Sequence, residues 1–408
     1  MSKLLTIHPR RQDGSLHLAT SDTDVPAIKL LHVVGARPNF PKLAPVFRAA
    51  EARNIAQVVV HTGQHYDDAL SASFFRDLGI PSPAVNLGVG SDSHAVQTAR
   101  IMERIEPVLI REQPDWVVVY GDVNSTLAAA IVASKLSFKI AHVEAGLRSY
   151  DRQMPEEINR LVTDRLADLL LTPSRDADET LRGEGEPDDE IVFVGNVMID
   201  SLFHALQPAR RSGFRSKIGI GPDAVVVTLH RPSNVDDAER LARLTRSLRE
   251  LANERMVIFT VHPRTRQRLT TAQLDLGAVR LFEPLSYLDM VDLISGAFAV
   301  ITDSGGLQEE TTALGVPCLT IRDTTERPIT ISQGTNRLVP DPQDILAAVR
   351  ALCRPLQHSV PEGWDGHAAN RIVDALIAHA CRAQAGKRVG LMASSSLVQH
   401  RQPNEFSR

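Results

Sequence analysis

The stretch Ile28-Lys29-Leu30-Leu31-His32-Val33-Val34-Gly35-Ala36-Arg37-Pro38-Asn39 holds the pattern that the rest of the chain repeats. A short apolar run rich in β-branched residues ends at a glycine, and a proline then introduces a helical stretch at 41–50. Similar runs at 57–61, 116–120, 139–143, 169–172 and 191–194 read as buried strands, with further helices at 95–112, 126–136 and 155–167. Their near-continuous Val, Ile and Leu content is that of parallel strands covered on both faces. A second series follows at 224–229, 257–261, 279–282, 299–302 and 318–321. Between the two series, 207–223 is rich in Pro, Gly, Arg and Ser and reads as a linker. The expected fold class is therefore α/β, with two Rossmann-like doubly wound units at 28–206 and 224–384 and a cleft between them. The polar ends, 1–27 and 385–408, read as disordered extensions.

Composition narrows the function. A chain of 408 residues suits two domains, and 43% hydrophobic with 23% charged residues is ordinary for a soluble protein. A net charge of -4 offers no general attraction to nucleic acid or anionic membrane, so any anion site is local. Cys318, Cys353 and Cys381 give neither a disulfide framework nor a metal knuckle. The start of the chain lacks the apolar core of a signal peptide, and no apolar run has membrane-spanning length. These features point to the cytoplasm.

Doubly wound sheets bind ligands beyond the carboxyl ends of their strands, so the residues just after each strand matter most. After the first comes Gly35-Ala36-Arg37-Pro38-Asn39, with Arg37 placed to grip a phosphate; the same sequence also serves as an ordinary βα turn. In the second half, Ser304, Gly305 and Gly306 open a helix, offering N–H groups and a hydroxyl to a diphosphate. Glu310, a turn into that helix, is placed to accept from ribose hydroxyls. The loop Arg322-Asp323-Thr324-Thr325-Glu326-Arg327-Pro328 supplies Arg327 as a second phosphate clamp. Asp122, Glu144 and the pair Glu156 and Glu157 bring carboxylates to one rim, where like charges raise one another's pKa and make a proton donor at neutral pH. Pro155-Glu156-Glu157 is equally an ordinary helix start. His230-Arg231 and His262 also follow strands. His65, His142 and His230 have no HxH or HxxxH spacing, so a metal site is not expected.

Ten motifs occur in order: GARPNFPK (Gly35–Lys42), HTGQHYD (His61–Asp67), YGDVNST (Tyr120–Thr126), HVEAGLR (His142–Arg148), MPEEINR (Met154–Arg160), VGNVMID (Val194–Asp200), LHRPSN (Leu229–Asn234), VHPRTR (Val261–Arg266), TDSGGLQEE (Thr302–Glu310) and RDTTERP (Arg322–Pro328). Together they resemble the non-hydrolysing UDP-N-acetylglucosamine 2-epimerases, over about Leu30 to Arg337. The resemblance implies a glycosyltransferase-B architecture and a reversible C2 inversion through elimination of UDP to a 2-acetamidoglucal and its re-addition. It implies acid/base work for Asp122, Glu144 and Glu156, with His230 beside them. For the UDP sugar it implies binding by Arg37, Lys42, Arg160, Phe282, Ser304, Gly305, Gly306, Glu310 and Arg327. It further implies a homodimer and no metal or nicotinamide cofactor.

The chain departs from the resemblance in two places. Many members carry a second, activating substrate site, of which only Gln64, Gln97 and Arg231 are matched here. Asn39 and Ser233 stand where many members carry Glu, which points to a change in sugar specificity, for example toward a C3-modified or uronic-acid UDP sugar. A hydrolysing 2-epimerase, which releases N-acetylmannosamine and UDP, a glycosyltransferase and a sugar-nucleotide sensor are the competing functions.

Overall fold

The apolar runs become strands because each buries both of its faces. β1 (Lys29–Val34) sends Leu30 and Val34 into one apolar cluster and Leu31 and Val33 into another. Two-sided burial is what a parallel sheet between helical layers requires. The computed structural model describes residues 27–64, 75, 77–352 and 359–382. His65 and, apart from Ala27, both expected terminal extensions lie outside the described residues. β1, β2 (Ala56–His61), β3 (Val85–Asn86), β4 (Trp116–Tyr120), β5 (Lys139–Val143), β6 (Leu169–Thr172) and β7 (Ile191–Phe193) form one sheet, ordered β3-β2-β1-β4-β5-β6-β7. β8 (Val225–Thr228), β9 (Val257–Thr260), β10 (Arg280–Phe282), β11 (Ala299–Thr302), β12 (Cys318–Thr320) and β13 (Asn336–Leu338) form the second, ordered β10-β9-β8-β11-β12-β13. The strand pairs are parallel in both.

The chain enters each sheet in the middle, winds to one edge, returns, and winds to the other. Strand order therefore reverses between β1 and β4 and again between β8 and β11, opening a crevice at the carboxyl ends of those strands. The expected α/β class with two doubly wound sheets is the observed one. β3 and β13 were not expected from the sequence; they are two and three residues long and carry no apolar run.

The stretch expected as a linker begins inside a helix, Val197–Ser212, which packs against both Phe40–Glu51 and Tyr287–Ser295. Asn196 starts this helix by accepting from the Met198 N–H at 2.9 Å. A larger difference concerns the end of the chain, which the sequence assigns to the second unit. Helix 368–382 returns instead to the first sheet. Trp364, Ala368, Ile372, Val373 and Leu376 are buried in the same cluster as Leu30, Trp116 and Val118. Trp364 Nε1 donates to the Pro173 carbonyl at 3.1 Å, and the Ala368 and Ala369 N–H groups donate to the Asp200 carboxylate at 3.1 and 2.7 Å. Periodicity in a sequence reports a helix's apolar face but not which sheet that face will cover.

Candidate functional site

The turns at the two reversal points face each other, and the sequence shapes each one locally. After β1, Asn39 Oδ1 accepts from the Gly35 and Ala36 N–H groups at 3.1 and 3.0 Å, and Asn39 Nδ2 donates to the Tyr120 carbonyl at 2.9 Å. Asn39 is buried, and these three bonds tie its amide to the turn and to the end of β4. Arg37 is half-buried in the 3-10 turn Arg37–Asn39, and Lys42 is buried in the first turn of the helix that follows.

After β4, Gly121 takes a φ of +61°. A Cβ there would lie 2.6 Å from Lys42 Nζ and 3.0 Å from Glu144 Oε2. Glu144 follows β5 with a φ of +77°, a backbone that non-glycine residues adopt only where the surroundings enforce it. Its carboxylate is ion-paired with Lys42 and accepts from Arg327 Nη2 at 2.7 Å. Arg327 comes from the loop after β12, so this contact spans the two sheets, and its Nε reaches Glu309 at 2.9 Å.

Asp122 pairs with Arg160, which also binds Glu157 at 2.7 Å. Glu157 in turn accepts from Ser149 N, Ser149 Oγ and Tyr150 N, each at 2.9 Å. Burial pushes Glu157 up, but the Ser149 N–H and the Arg160 guanidinium outweigh it and leave the carboxyl below its ordinary value. Glu156, beside it, is half-buried. The expected rim of mutually repelling carboxylates is thus an alternation: Asp122 and Glu144 each face a cation. The reason is general, since buried charges persist only when paired.

In the second sheet, Asp303 organises the turn after β8. Fully buried, it accepts from His230 N at 3.0 Å, Arg231 N at 2.9 Å and Asn234 Nδ2 at 3.1 Å, and it holds His230 Nδ1 at 3.0 Å. Burial raises Asp303, but His230, the Arg231 N–H and Asn234 pull it below its ordinary value. The His230 ring remains 44% exposed, aimed by its Asp303 contact and open to a ligand. His262 lies 6.4 Å from it, ring to ring. Burial lowers His262, and the nearby charges of His230, Arg37 and Arg264 lower it further, which brings Arg37 of the first sheet to the same crevice.

Ser304, Gly305 and Gly306 are half-buried at the start of helix Gly305–Leu314, where N–H groups lack helical partners. The Arg327 guanidinium packs against Gly305. Glu310 is buried and accepts from Tyr287 Oη at 3.1 Å; burial pushes its carboxyl up to about 7, with Tyr287 opposing and Glu309 adding to the rise. Phe282, at the end of β10, packs edge-on to Phe214 at 6.2 Å. Gln64 and Gln97, suggested for a second ligand site, are buried and engaged within the protein. Gln64 Oε1 accepts from Ser125 Oγ at 2.7 Å; Gln97 Nε2 donates to the Gln64 and Gly90 carbonyls and its Oε1 accepts from Asn124. Arg231 lies 3.6 Å from Glu326, which Arg322 holds through both oxygens at 2.9 and 2.7 Å.

Glu157, Asp303, Glu309 and Glu326 were not singled out for these roles. Glu157 was read as a rim carboxylate or a helix start and not as the partner of Ser149 and Arg160, while Asp303, Glu309 and Glu326 sit inside motifs already quoted and are identified by what they touch. Among the described residues, no group of three or more His, Cys, Asp or Glu side chains is arranged to hold a metal ion. No described helix is long and apolar enough to cross a membrane.

With carboxylates from one sheet facing a cation, an oriented histidine and a helix start from the other, the crevice combines acid/base groups with an anion grip. A family model described as UDP-N-acetylglucosamine 2-epimerase matches residues 48–377. The chain belongs to the UDP-N-acetylglucosamine 2-epimerase family. It is 40% identical over 358 residues to the UDP-N-acetylglucosamine 2-epimerase of Methanocaldococcus jannaschii, covering 85% of this chain and 98% of that one. It is 41% identical to the UDP-2,3-diacetamido-2,3-dideoxy-D-glucuronate 2-epimerase of Pseudomonas aeruginosa, covering 86% and 99%. The crystal structure of the Methanocaldococcus enzyme with UDP-GlcNAc and UDP superimposes with a TM-score of 0.79 at 40% identity, over 86% of this chain and 99% of that one. The enzyme from Neisseria meningitidis bound to UDP-GlcNAc gives 0.79 at 29% identity, over 86% and 100%. These neighbours are glycosyltransferase-B-like, as is the two-sheet arrangement here.

Proposed function

We propose that the protein inverts C2 of UDP-N-acetylglucosamine, giving UDP-N-acetylmannosamine reversibly and without net hydrolysis. The observation that carries this reading is the 2.7 Å contact between Arg327 and Glu144, which joins a cation of the diphosphate grip to an acid/base carboxylate across the crevice. A C2 proton beside no carbonyl is barely acidic, so its removal must be coupled to departure of a stabilised leaving group. The C1–O bond breaks and its electron pair leaves with the UDP β-phosphate, while the C2–H pair becomes the C1–C2 double bond of a 2-acetamidoglucal. Arg37, Arg327, His230 and the N–H groups at Ser304, Gly305 and Gly306 receive the diphosphate. The glucal then takes a proton at C2 on its opposite face as the diphosphate oxygen re-forms the bond to C1.

Two faces require at least two acid/base groups, and Asp122, Glu144 and Glu156 are the candidates. Arg160 beside Asp122 and Lys42 beside Glu144 hold each carboxylate in place at the crevice. Lys42 and Arg160 orient these carboxylates while Phe282 and Glu310 lie along the nucleoside side of the grip. The resemblance adds a homodimer in the cytoplasm, and the dimer is checked by sedimentation.

The test is incubation with UDP-N-acetylglucosamine in deuterated water, followed by NMR. Deuterium at C2 of both epimers with UDP conserved is expected; UDP rising in step with free sugar would overturn the reading in favour of hydrolysis. A second reading, a C3-modified or uronic-acid sugar, is favoured by the 41% identity to the diacetamido-glucuronate epimerase. Exchange confined to that sugar in a substrate panel would establish it.

A further inference from the structure

Beneath the two catalytic turns lies a buried polar chain that the proposed reaction does not use. Its centre is Asp164, 1% exposed, on the same helix as Glu157 and Arg160. Asp164 Oδ1 lies 2.6 Å from Nδ1 of His142, a residue of β5 with no exposed surface. The other ring nitrogen, Nε2, is 2.8 Å from the Gly121 carbonyl, which can only accept, so Nε2 donates. That carbonyl belongs to the turn presenting Asp122. Asp164 Oδ2 accepts from the Gly146 N–H at 3.2 Å, in the turn presenting Glu144, and pairs with Arg148 Nη1 at 2.7 Å. Arg148 is anchored in turn by Glu184, which accepts from Nε and Nη2 at 2.9 and 2.6 Å. Burial raises the Asp164 carboxyl, but His142 and Arg148 outweigh it and keep it ionised.

We propose that Asp164 is a positioning residue for the reaction, holding the Asp122 turn through His142 and the Glu144 turn directly, and so setting the separation of the two carboxylates. Two independent observations support this. Glu144, a non-glycine residue, has a φ of +77° that needs enforcement, while the turn before Asp122 pivots on Gly121 and gains its fixed position from what its carbonyl binds. And one buried carboxylate reaches the Glu144 turn directly and the Asp122 turn through a single histidine. Proton removal at one face of C2 and delivery at the other depends on that separation, and a misplacement of about 1 Å costs on the order of 100-fold in rate.

This inference rests on the C2 inversion proposed above, and the variants Asp164→Ala, Asp164→Asn and His142→Phe separate the two. For each, kcat and KM for UDP-N-acetylglucosamine, deuterium exchange at C2, and UDP affinity by calorimetry are measured, and a crystal structure is determined. Asp164→Ala is expected to lose on the order of 100-fold in kcat with KM and UDP affinity little changed, and to show the Asp122 and Glu144 carboxylates displaced by about 1 Å. Asp164→Asn should recover most of that rate, because its oxygen still accepts from Gly146 and its NH2 donates to His142 Nδ1 while Nε2 keeps Gly121. His142→Phe preserves ring volume and the Gly146 bond, and should lower kcat alone.

Wild-type kcat in Asp164→Ala, a parallel fall of kcat and UDP affinity, an Asn variant as impaired as Ala, or unmoved carboxylates in the crystal would each overturn the positioning role. If Asp164→Ala does not fold, the Asn and Phe variants decide by the same criteria. Absence of exchange in the wild-type protein would overturn the proposed reaction instead; carboxylate displacement in the crystals then still decides the role of Asp164.

Discussion

Gly121→Ala isolates the catalytic geometry from the stability of the sheet. The backbone there has a φ of +61°, and a left-handed conformation costs an alanine about 1–2 kcal/mol. For a unit of roughly 200 residues each kcal/mol lowers Tm by about 2–4 °C, so a drop of about 2–8 °C is expected. The added Cβ would also fall 2.6 Å from Lys42 Nζ and 3.0 Å from Glu144 Oε2. Lys42 is the end of a flexible chain and can move aside cheaply, but in moving it releases Glu144. The loss therefore appears in chemistry, as a fall in kcat on the order of 100-fold. Gly185→Ala is the control: its φ is +87° and nothing lies within 4 Å of the new Cβ, so it carries the strain without the contact. Thermal melts and C2 exchange rates on both variants make the comparison. Equal kcat values for the two variants, at equal Tm, would refute the idea that the Gly121 turn sets the Lys42–Glu144 pair.

Arg327→Ala leaves Glu144 and Glu309 without their shared cation, and removal of one partner of a buried pair costs about 3–5 kcal/mol. Denaturant melts should show it, together with weakened UDP binding, and Arg327→Lys should restore little because an ammonium cannot span both carboxylates. Glu310 is held up to about 7, above its ordinary 4.5, so its contribution to stability is full below pH 4.5 and is lost as pH rises through 7. The wild-type protein should therefore lose a few kcal/mol relative to Glu310→Gln between those pH values, and parallel stability curves for the two would refute it. Trp364→Ala removes a side chain that is 2% exposed and should cost about 3–5 kcal/mol, releasing helix 368–382 to proteolysis while the second sheet stays protected.

What the sequence conveyed follows physical range. β4, β5, β6 and β11 have the bounds expected of them, because a run that buries both faces marks its own ends. Val85–Asn86 and Asn336–Leu338 belong to strands only through a neighbour's backbone, which leaves no local trace. The residues after the strands were legible as candidates for the same reason as the fold: topology delivers them to the crevice. Their partners were not. Glu157 looks like a rim carboxylate or a helix start until the Ser149 and Tyr150 N–H groups are found on it, and nothing around Asn39 shows that Tyr120, distant in sequence, accepts its amide. Gln64 Oε1 accepts from Ser125, and the Gln97 amide meets Asn124 and two backbone carbonyls, contacts that their motifs do not announce.

The returning helix has a consequence for synthesis. Trp364 and Pro173 are 191 residues apart, and Arg53 and Asp374 are 321 apart. At a ribosomal rate of roughly 5–20 residues per second, the nascent first sheet waits on the order of 10–40 s for the strap that covers its flank. During that interval the apolar surface around Trp116 is open to chaperones and to other nascent chains, and the second sheet has time to fold first. A stop codon that removes only the final helix would thus leave the catalytic residues all encoded but the first sheet uncovered, and the product would be lost to aggregation rather than to faulty chemistry.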